Sequence, residues 1–164
     1  MLAKKALCST LVVLLVAFTS TVIAAENLPD IAKRQLKTDD GYMIYYNAII
    51  TDSLTPAVAK TYGVSRSRNR VLLTVSIRKG NEGSLMQTTA AKAKVTAQTV
   101  NLNSQLKTLS MRRVEEGNAD SKAIYYVDDF TFTDKETLKF TIKVTPINQD
   151  KEYEIKFEQQ FFVG

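Results

Sequence analysis

Residues 137–146, TLKFTIKVTP, indicate the fold most clearly. Apolar side chains occupy every second position, and lysines and threonines fill the positions between them. Because a strand turns alternate side chains to opposite faces, this pattern is typical of a strand with one face in a core and the other in water. Pro146 cannot donate to a sheet and therefore marks the strand end. The predicted core face consists of Leu138, Phe140, Ile142 and Val144.

Similar segments lie on both sides of this one, and Val75 and Ile155 belong to their apolar faces. Alternation of apolar and charged positions is typical of antiparallel sheets that pack face to face. The sequence therefore predicts an all-β fold, a two-sheet immunoglobulin-like sandwich of about seven strands with one short helix. A closed β-barrel is the alternative. The predicted strands are residues 42–50, 71–79, 93–102, 106–114, 123–132, 137–146 and 153–162.

One segment carries helix signals instead. Thr55 can cap the helix, Pro56 suits its first position, and Gly63 can adopt the left-handed conformation that ends it. Leu54 and Ala59 can pack together across the first turn. We expect a helix over residues 56–62 that acts as a plug or connector.

The first residues have the three parts of an export signal: Lys4 and Lys5, an apolar run, and the small residues Ala24 and Ala25. We predict a cleaved signal peptide over residues 1–25, a flexible leader over 26–40, and a single sandwich domain over 41–164. The predicted location is the periplasm. An uncleaved membrane anchor is the alternative.

Composition excludes several chemistries from the mature chain. Cys8, the only cysteine, lies within the predicted signal, and the sequence has no histidine or tryptophan. Thiol catalysis, histidine-dependent nucleophiles and cysteine- or histidine-bound metals are therefore excluded. The net charge of +5, from which cleavage removes two lysines, is too small to indicate a nucleic-acid binder. We expect no enzyme activity, no cofactor, no catalytic or metal-binding residue, and no integral membrane domain after cleavage.

Residues 46–67 contain three short motifs: the pair Tyr46-Asn47, the helix segment LTPAVAKTYG at 54–63, and the pair Arg66-Ser67. These motifs resemble those of a family of small exported proteobacterial proteins with no assigned function. The resemblance implies a periplasmic sandwich-like domain, and it offers no catalytic residues. The hallmark residues, whose role is unknown, are Tyr46, Asn47, Leu54, Pro56, Tyr62 and Gly63, with Arg66 and Ser67 after them.

Arg66, Arg68 and Arg70 are spaced by two, which places their side chains on one side of an extended segment. We expect them to face solvent. Guanidinium groups in such a row can bind a carboxylate, a phosphate or an acidic partner. The alternative is a charged edge that prevents strand-to-strand aggregation.

Asp128 and Asp129 interrupt a strongly apolar strand, and alternation puts Asp128 on the core face. Asp128 could be a calcium ligand, half of an acid pair or the partner of a buried arginine; a β-bulge or a strand end is the structural explanation. An acid pair with Glu115 or Glu116 would support a carboxylate-dependent hydrolase of envelope glycans.

Two sets of aromatic residues can be interpreted either as part of the core or as a binding surface. The tyrosines of residues 42–46 and 125–126 can pack in the core or line a groove. The segment FEQQFFVG, residues 157–164, can be the last core strand or a strand offered to a partner. Taken together, the sequence predicts a periplasmic, non-catalytic binding or assembly module whose partner is an unknown protein or envelope component; the hydrolase is the alternative function.

Overall fold

A computed structural model of the protein describes residues 34–81, 84–118 and 122–164. The predicted signal peptide and most of the predicted leader lie outside these residues. Within them the chain forms ten strands, one α-helix, α1 (Pro56–Thr61), and a 3-10 turn at Thr51–Ser53. The strands are β1 Gln35–Lys37, β2 Tyr42–Ile50, β3 Arg70–Asn81, β4 Ser84–Ala90, β5 Ala93–Asn101, β6 Leu106–Leu109, β7 Arg112–Glu116, β8 Ala123–Thr131, β9 Thr137–Pro146 and β10 Tyr153–Gln160.

The strands form two antiparallel sheets. The first has the order β1-β2-β3-β8-β7, with β4 also paired to β3, and the second has the order β10-β9-β5-β6. This arrangement confirms the predicted two-sheet sandwich with one short helix; the closed-barrel alternative is wrong. The strand count differs partly because residues 106–114, predicted as one strand, divide into β6 and β7 of different sheets.

The core lies between the sheets and contains the predicted apolar faces. Val75, Phe140, Ile142 and Ile155 are all buried, as expected. The Phe140 ring stacks on the Phe157 ring with the centroids 4.4 Å apart. The regular alternation of β9 thus supplies the centre of the core.

A second hydrophobic cluster covers the outer face of the first sheet. Leu72 and Val127 are fully buried there beneath α1 and its flanking residues. Leu72 shares its face of β3 with the polar residues Thr74 and Ser76, and it is nevertheless fully buried. The helix supplies the cover, because Leu54 and Ala59 pack into the same cluster. α1 is therefore part of a hydrophobic cluster as well as a connector.

The ends of α1 follow the predicted signals. The Thr55 hydroxyl accepts a hydrogen bond from the Val58 N–H at 3.3 Å, and Pro56 begins the helix. Gly63 has a φ of 59°, in the left-handed region that glycine adopts without strain. Arg112 of β7 donates a hydrogen bond to the Tyr62 carbonyl and so links the helix end to the sheet.

Strand β1 lies inside the segment predicted as a leader. Its residues pair with β2 in the register Leu36 opposite Ile44. Alternation does not indicate this strand, because three residues are too few to show a repeated pattern. None of the helices in residues 34–81, 84–118 and 122–164 has the length and hydropathy needed to cross a bilayer.

Candidate functional site

One end of the sandwich gathers loops from distant parts of the chain. The Phe132 N–H bonds the Asn69 carbonyl at 3.0 Å, and the Phe161 N–H bonds the Glu136 carbonyl at 2.9 Å. The Val163 N–H donates to Asp134 Oδ1 at 2.9 Å. We call this region the loop end; it comprises residues 51–54, 65–69, 102–105, 132–136 and 161–164.

Two of the three predicted arginines meet at the loop end around one carboxylate. Arg66 Nη2 lies 3.7 Å from Asp52 Oδ1, and Arg68 Nε lies 3.9 Å from Asp52 Oδ2. Arg66 Nη2 also donates to the Asp52 carbonyl at 2.8 Å. The Arg68 side chain is 71% exposed. Two cations therefore share one anion, and Arg68 is accessible to solvent.

Arg70 has a different environment from the other two. Its Nε donates to Asp129 Oδ2 at 2.8 Å across β3 and β8. The two side chains are only 31% and 15% exposed, in that order. The expectation that all three arginines face solvent therefore does not describe Arg70, whose guanidinium is held against the sheet.

An open groove of about 430 Å³ borders Arg68 and Asp52. Its apolar lining comes from Ile50 and from residues 162–164, and the Phe162 side chain is 52% exposed. Arg68 Nη1 also contacts the Gly164 carbonyl at 3.4 Å. We call this region, together with Arg66, the arginine groove. Its residues are Ile50, Asp52, Ser53, Arg66, Arg68, Phe162, Val163 and Gly164.

The C-terminal aromatic segment contributes one ring to the core and one ring to the surface. Phe161 is buried in the core, 5.4 Å from Phe132 between ring centroids. Phe162, the next residue, points out of the core into the arginine groove. Sequence analysis could not separate the two, because β10 ends at Gln160 and alternation does not extend past it.

Asp128 and Asp129 lie on opposite faces of β8. Asp128 is on the inner face, as alternation predicted, and its Oδ2 accepts a hydrogen bond from the Ser110 N–H at 2.8 Å. The favoured bulge or strand end is wrong, because β8 keeps a continuous register with β3 as far as Thr131. The connection between β6 and β7 supplies the partner that the carboxylate requires.

The acids of the hydrolase alternative are far apart. Glu115 pairs with Ile124, so Asp128 lies four residues further along the strand, about 13 Å away. Glu115 instead forms an ion pair with Lys122 at 2.6 Å, and that hydrogen bond chiefly lowers the pKa of the Glu115 carboxyl. Glycosidase acid pairs are separated by roughly 5 to 9.5 Å. The structure does not bring this pair together.

The hallmark residues Tyr46 and Asn47 lie within β2, away from the arginine groove. The Tyr46 ring packs against Phe157 with centroids 5.1 Å apart. Asn47 Oδ1 accepts a hydrogen bond from Arg34 Nη1 at 3.2 Å. Asn47 thus bonds a side chain from inside β2, which continues to Ile50.

The predicted tyrosines do not form a common groove. Tyr42 and Tyr126 are buried in the core, and the Tyr126 hydroxyl accepts from the Ala93 N–H at 2.8 Å. Tyr125 instead packs on Tyr62 beside α1, with ring centroids 6.0 Å apart. Their separation on both faces of the first sheet supports the core interpretation.

A hydrogen-bonded group made of the buried Thr38 and Tyr153 and the exposed Asp40 joins the β1–β2 turn to the start of β10. The Tyr153 hydroxyl donates to Asp40 Oδ2, and the Thr38 hydroxyl donates to Asp40 Oδ1 at 2.6 Å. Burial, reinforced by the hydrogen bond to Asp40, raises the pKa of Tyr153 to about 12. The hydrogen bonds from Thr38 and Tyr153 lower the pKa of the Asp40 carboxyl. No local pattern indicates this group, because Tyr153 lies 113 positions from Asp40 in the chain.

A second cavity, which the sequence analysis missed, lies between β6 and β8. It has a volume of about 390 Å³, and Lys107 and Glu136 are its charged residues. Asn101 Nδ2 donates to Glu136 Oε1 at 2.8 Å, and the Thr133 N–H donates to Glu136 Oε2 at 2.7 Å. We call it the β6–β8 cleft. Its lining comes from four strands and two loops, so no local motif could have indicated it.

The described parts of the chain contain no candidate metal-binding cluster. There, no three histidine, cysteine, aspartate or glutamate side chains are grouped so that they could hold an ion. The calcium interpretation of Asp128 therefore has no supporting ligands among these residues.

The fold and the groove define a small all-β sandwich domain with a charged and apolar groove at its loop end. The chain belongs to the family described as domain of unknown function DUF4426, whose model matches residues 36–164. This confirms that the family has no assigned function; the export and the hallmark motifs remain predictions. No curated protein matches the chain.

The solved structures similar to this chain include one of the same family and one of lower identity. A DUF4426 family protein from Pseudomonas aeruginosa shares 27% identity with a TM-score of 0.62, covering 78% of this chain and 93% of that one. A copper-bound variant of FetP from uropathogenic Escherichia coli strain F11 shares 11% identity with a TM-score of 0.48, covering 77% of this chain and 93% of that one.

Proposed function

We propose that the protein is a non-catalytic binding or assembly module of the periplasm that binds a protein or an envelope component through the arginine groove. The observation that carries the proposal is the sharing of Asp52 by Arg66 and Arg68 next to the exposed Phe162. A partner with an anionic group beside an apolar segment fits this combination.

The ion pairs of the groove are weak enough to be exchanged. Exposed ion pairs contribute about 0–1 kcal/mol, and the two distances to Asp52 are at the long end of the range for such pairs. Asp52 is the one acidic side chain among the groove residues, and two guanidinium groups share it. An incoming carboxylate or phosphate can therefore bind without the loss of a strong internal interaction.

The apolar side of the groove adds a hydrophobic contact area to the charge of the arginines. Phe162 is a large aromatic side chain that is half exposed, and aromatic side chains are enriched at protein interfaces. Its ring lines the same groove as Arg68, so one partner surface can bury the ring and pair with the guanidinium. Arg70 is excluded from this role because Asp129 already binds its guanidinium.

Binding is tested by recovery of partners from periplasmic extract, with quantification by mass spectrometry. We expect the Arg66→Ala/Arg68→Ala variant and the Phe162→Ala variant to lose the same partners. The matched control is Lys143→Ala/Lys156→Ala, which removes two cations from exposed ion pairs on the second sheet. Equal recovery by the wild type and the arginine variant would contradict the proposal.

Location is tested separately by cell fractionation and N-terminal sequencing. The predicted signal supports release of a shorter periplasmic species that begins near Ala25 or Glu26. Recovery of the protein only as a full-length membrane species would show that the signal is an anchor.

A further inference from the structure

Strand β8 has an open edge over its last residues. β3 pairs with β8 from Tyr125 to Thr131, whereas β7 pairs with it only from Ala123 to Val127. Among the described residues, no strand pairs with the last four residues of β8 on the β7 side. The chain leaves this edge at Ser110, because β6 joins the other sheet.

Hydrogen bonds at the end of β8 show which backbone groups point to the open side. The Phe132 N–H bonds Asn69 on the β3 side. Since backbone groups alternate in direction along a strand, those of Thr131 and Asp129 point away from β3. No described group accepts from the N–H of either residue, and the Asp129 carbonyl has only a 3.4 Å contact from Arg70 Nη2. Two backbone donors are thus available to an added strand.

Lys107 of β6 occupies the place of a neighbouring strand. Its Nζ donates to the Thr131 carbonyl at 3.1 Å and lies 5.3 Å from the centre of the Phe130 ring. A backbone N–H of an added strand can replace the Lys107 ammonium as the donor to the Thr131 carbonyl. The ammonium is then released into the β6–β8 cleft. The released ammonium then needs an anion, and both oxygens of Glu136, the other charged residue there, already accept hydrogen bonds.

A second copy of this chain is a poor occupant of the same region. The Asn101 N–H bonds the Gln105 carbonyl, so alternation turns the backbone of Leu106 and Thr108 to the free side of β6. If the β6 strands of two copies pair antiparallel through these groups, Leu106 of one copy lies opposite Thr108 of the other. Lys107 then lies opposite Lys107 of the second copy. Like charges directly opposite each other are destabilising. The positive charge of Lys107 therefore favours an acidic strand from another protein over a second copy of this chain.

We propose that the β6–β8 cleft accepts an extended segment of a partner protein, which adds to the open edge of β8 at Asp129 and Thr131 and places an acidic side chain on Lys107. Main-chain hydrogen bonds give affinity in this mode of recognition, and side-chain pockets give specificity. The exposed Leu106, 61% accessible at the cleft mouth, provides an apolar contact for the segment. The site is independent of the arginine groove.

The experiment selects a displayed library of random ten-residue peptides against the purified protein and against its Lys107→Glu variant. We expect the wild type to enrich peptides with Asp or Glu at one position flanked by strand-forming residues. The charge-reversed variant should enrich Lys or Arg at that position and bind the acidic peptides about tenfold or more weakly. Lys143→Glu, on the outer face of the second sheet, is the matched control and should behave as the wild type.

Hydrogen exchange measured by NMR locates the bound peptide. The amides of Asp129 and Thr131 should become protected by a selected acidic peptide, and those of the arginine groove should not. Three results would overturn the proposal: no enrichment over an unrelated protein, protection only at other amides, or an acidic preference that survives Lys107→Glu. A melting temperature of Lys107→Glu close to that of the wild type verifies that the variant is folded.

Discussion

Arg70 and Asp129 form an ion pair across β3 and β8, with Arg70 Nε 2.8 Å from Asp129 Oδ2. Arg70 resembles Arg66 and Arg68 in sequence, because the three are spaced by two. The register that pairs Arg70 with Thr131 brings Asp129 within its reach, whereas the other two arginines lie in the loop before β3. One of the three arginines is therefore structural, and the other two border the proposed groove.

Removal of either member of this pair should destabilise the domain. We expect Asp129→Asn and Arg70→Met each to lower the free energy of unfolding by about 1–3 kcal/mol, because a partly buried charge loses its hydrogen-bonded partner. The double variant should cost less than the sum of the two. Urea unfolding measures these changes. Arg68→Met, as a control, should change the stability by less than about 0.5 kcal/mol, and an equal effect of Arg68→Met and Arg70→Met would contradict this prediction.

Phe140 should be among the most costly core residues to truncate. Its ring is fully buried and stacks on Phe157, so Phe140→Ala should leave a cavity and cost about 3–5 kcal/mol. The control is Phe162→Ala, which removes an exposed ring of the same size and should have little effect on stability. Thermal and urea unfolding compare the two, and a small change for Phe140→Ala would refute the described core.

Leu72→Ala tests the second hydrophobic cluster. Leu72 is fully buried under α1, and its truncation should cost about 2–5 kcal/mol. The amides of α1 should also exchange faster, because the helix loses apolar contact with the sheet. Ser76→Ala changes the same face of β3 outside this cluster and serves as the control. Unchanged stability and exchange in Leu72→Ala would show that the helix does not cover this face.

Tyr153 should make the stability depend on pH in the alkaline range. Its folded pKa of about 12 is above the ordinary value of 10.0, so the hydroxyl stabilises the fold in its neutral form. This contribution is complete below pH 10 and is lost as the pH rises towards 12. Tyr153→Phe should therefore lose less stability between pH 9 and 11, measured by urea unfolding at each pH.

A residual slope should remain in that variant, because burial also raises the pKa of Tyr62 to about 12. Tyr62→Phe/Tyr153→Phe should have the flattest profile. If Tyr153→Phe has the same alkaline slope as the wild type, the Tyr153–Asp40 hydrogen bond does not act as described. Asp40 affects the stability of the fold at acidic pH. Because its carboxyl pKa is lowered in the fold, the stability that it contributes is lost only as the pH falls below about 3.8.

The fold was predictable because its signals are local. In β9, apolar residues at every second position identify both the strand and its buried face, and Phe140 and Ile142 are buried as expected. Thr55, Pro56 and Gly63 mark the helix for the same reason, since each acts on backbone within a few residues. The short strand β1 was missed because three residues are too few to show a repeated alternation. The division between β6 and β7 was missed because residues 106–114 alternate only weakly.

The sequence by itself determined the class of fold, the helix ends and the residues at the centre of the core, since periodicity and capping depend only on neighbours in the chain. Only the tertiary structure decided that Arg70 pairs with Asp129, that Asp52 joins Arg66 to Arg68, and that Lys107 reaches across to Thr131. These contacts join residues up to 59 positions apart. Strand order and register place such residues together, and a pattern of period two contains no information on which strands become neighbours.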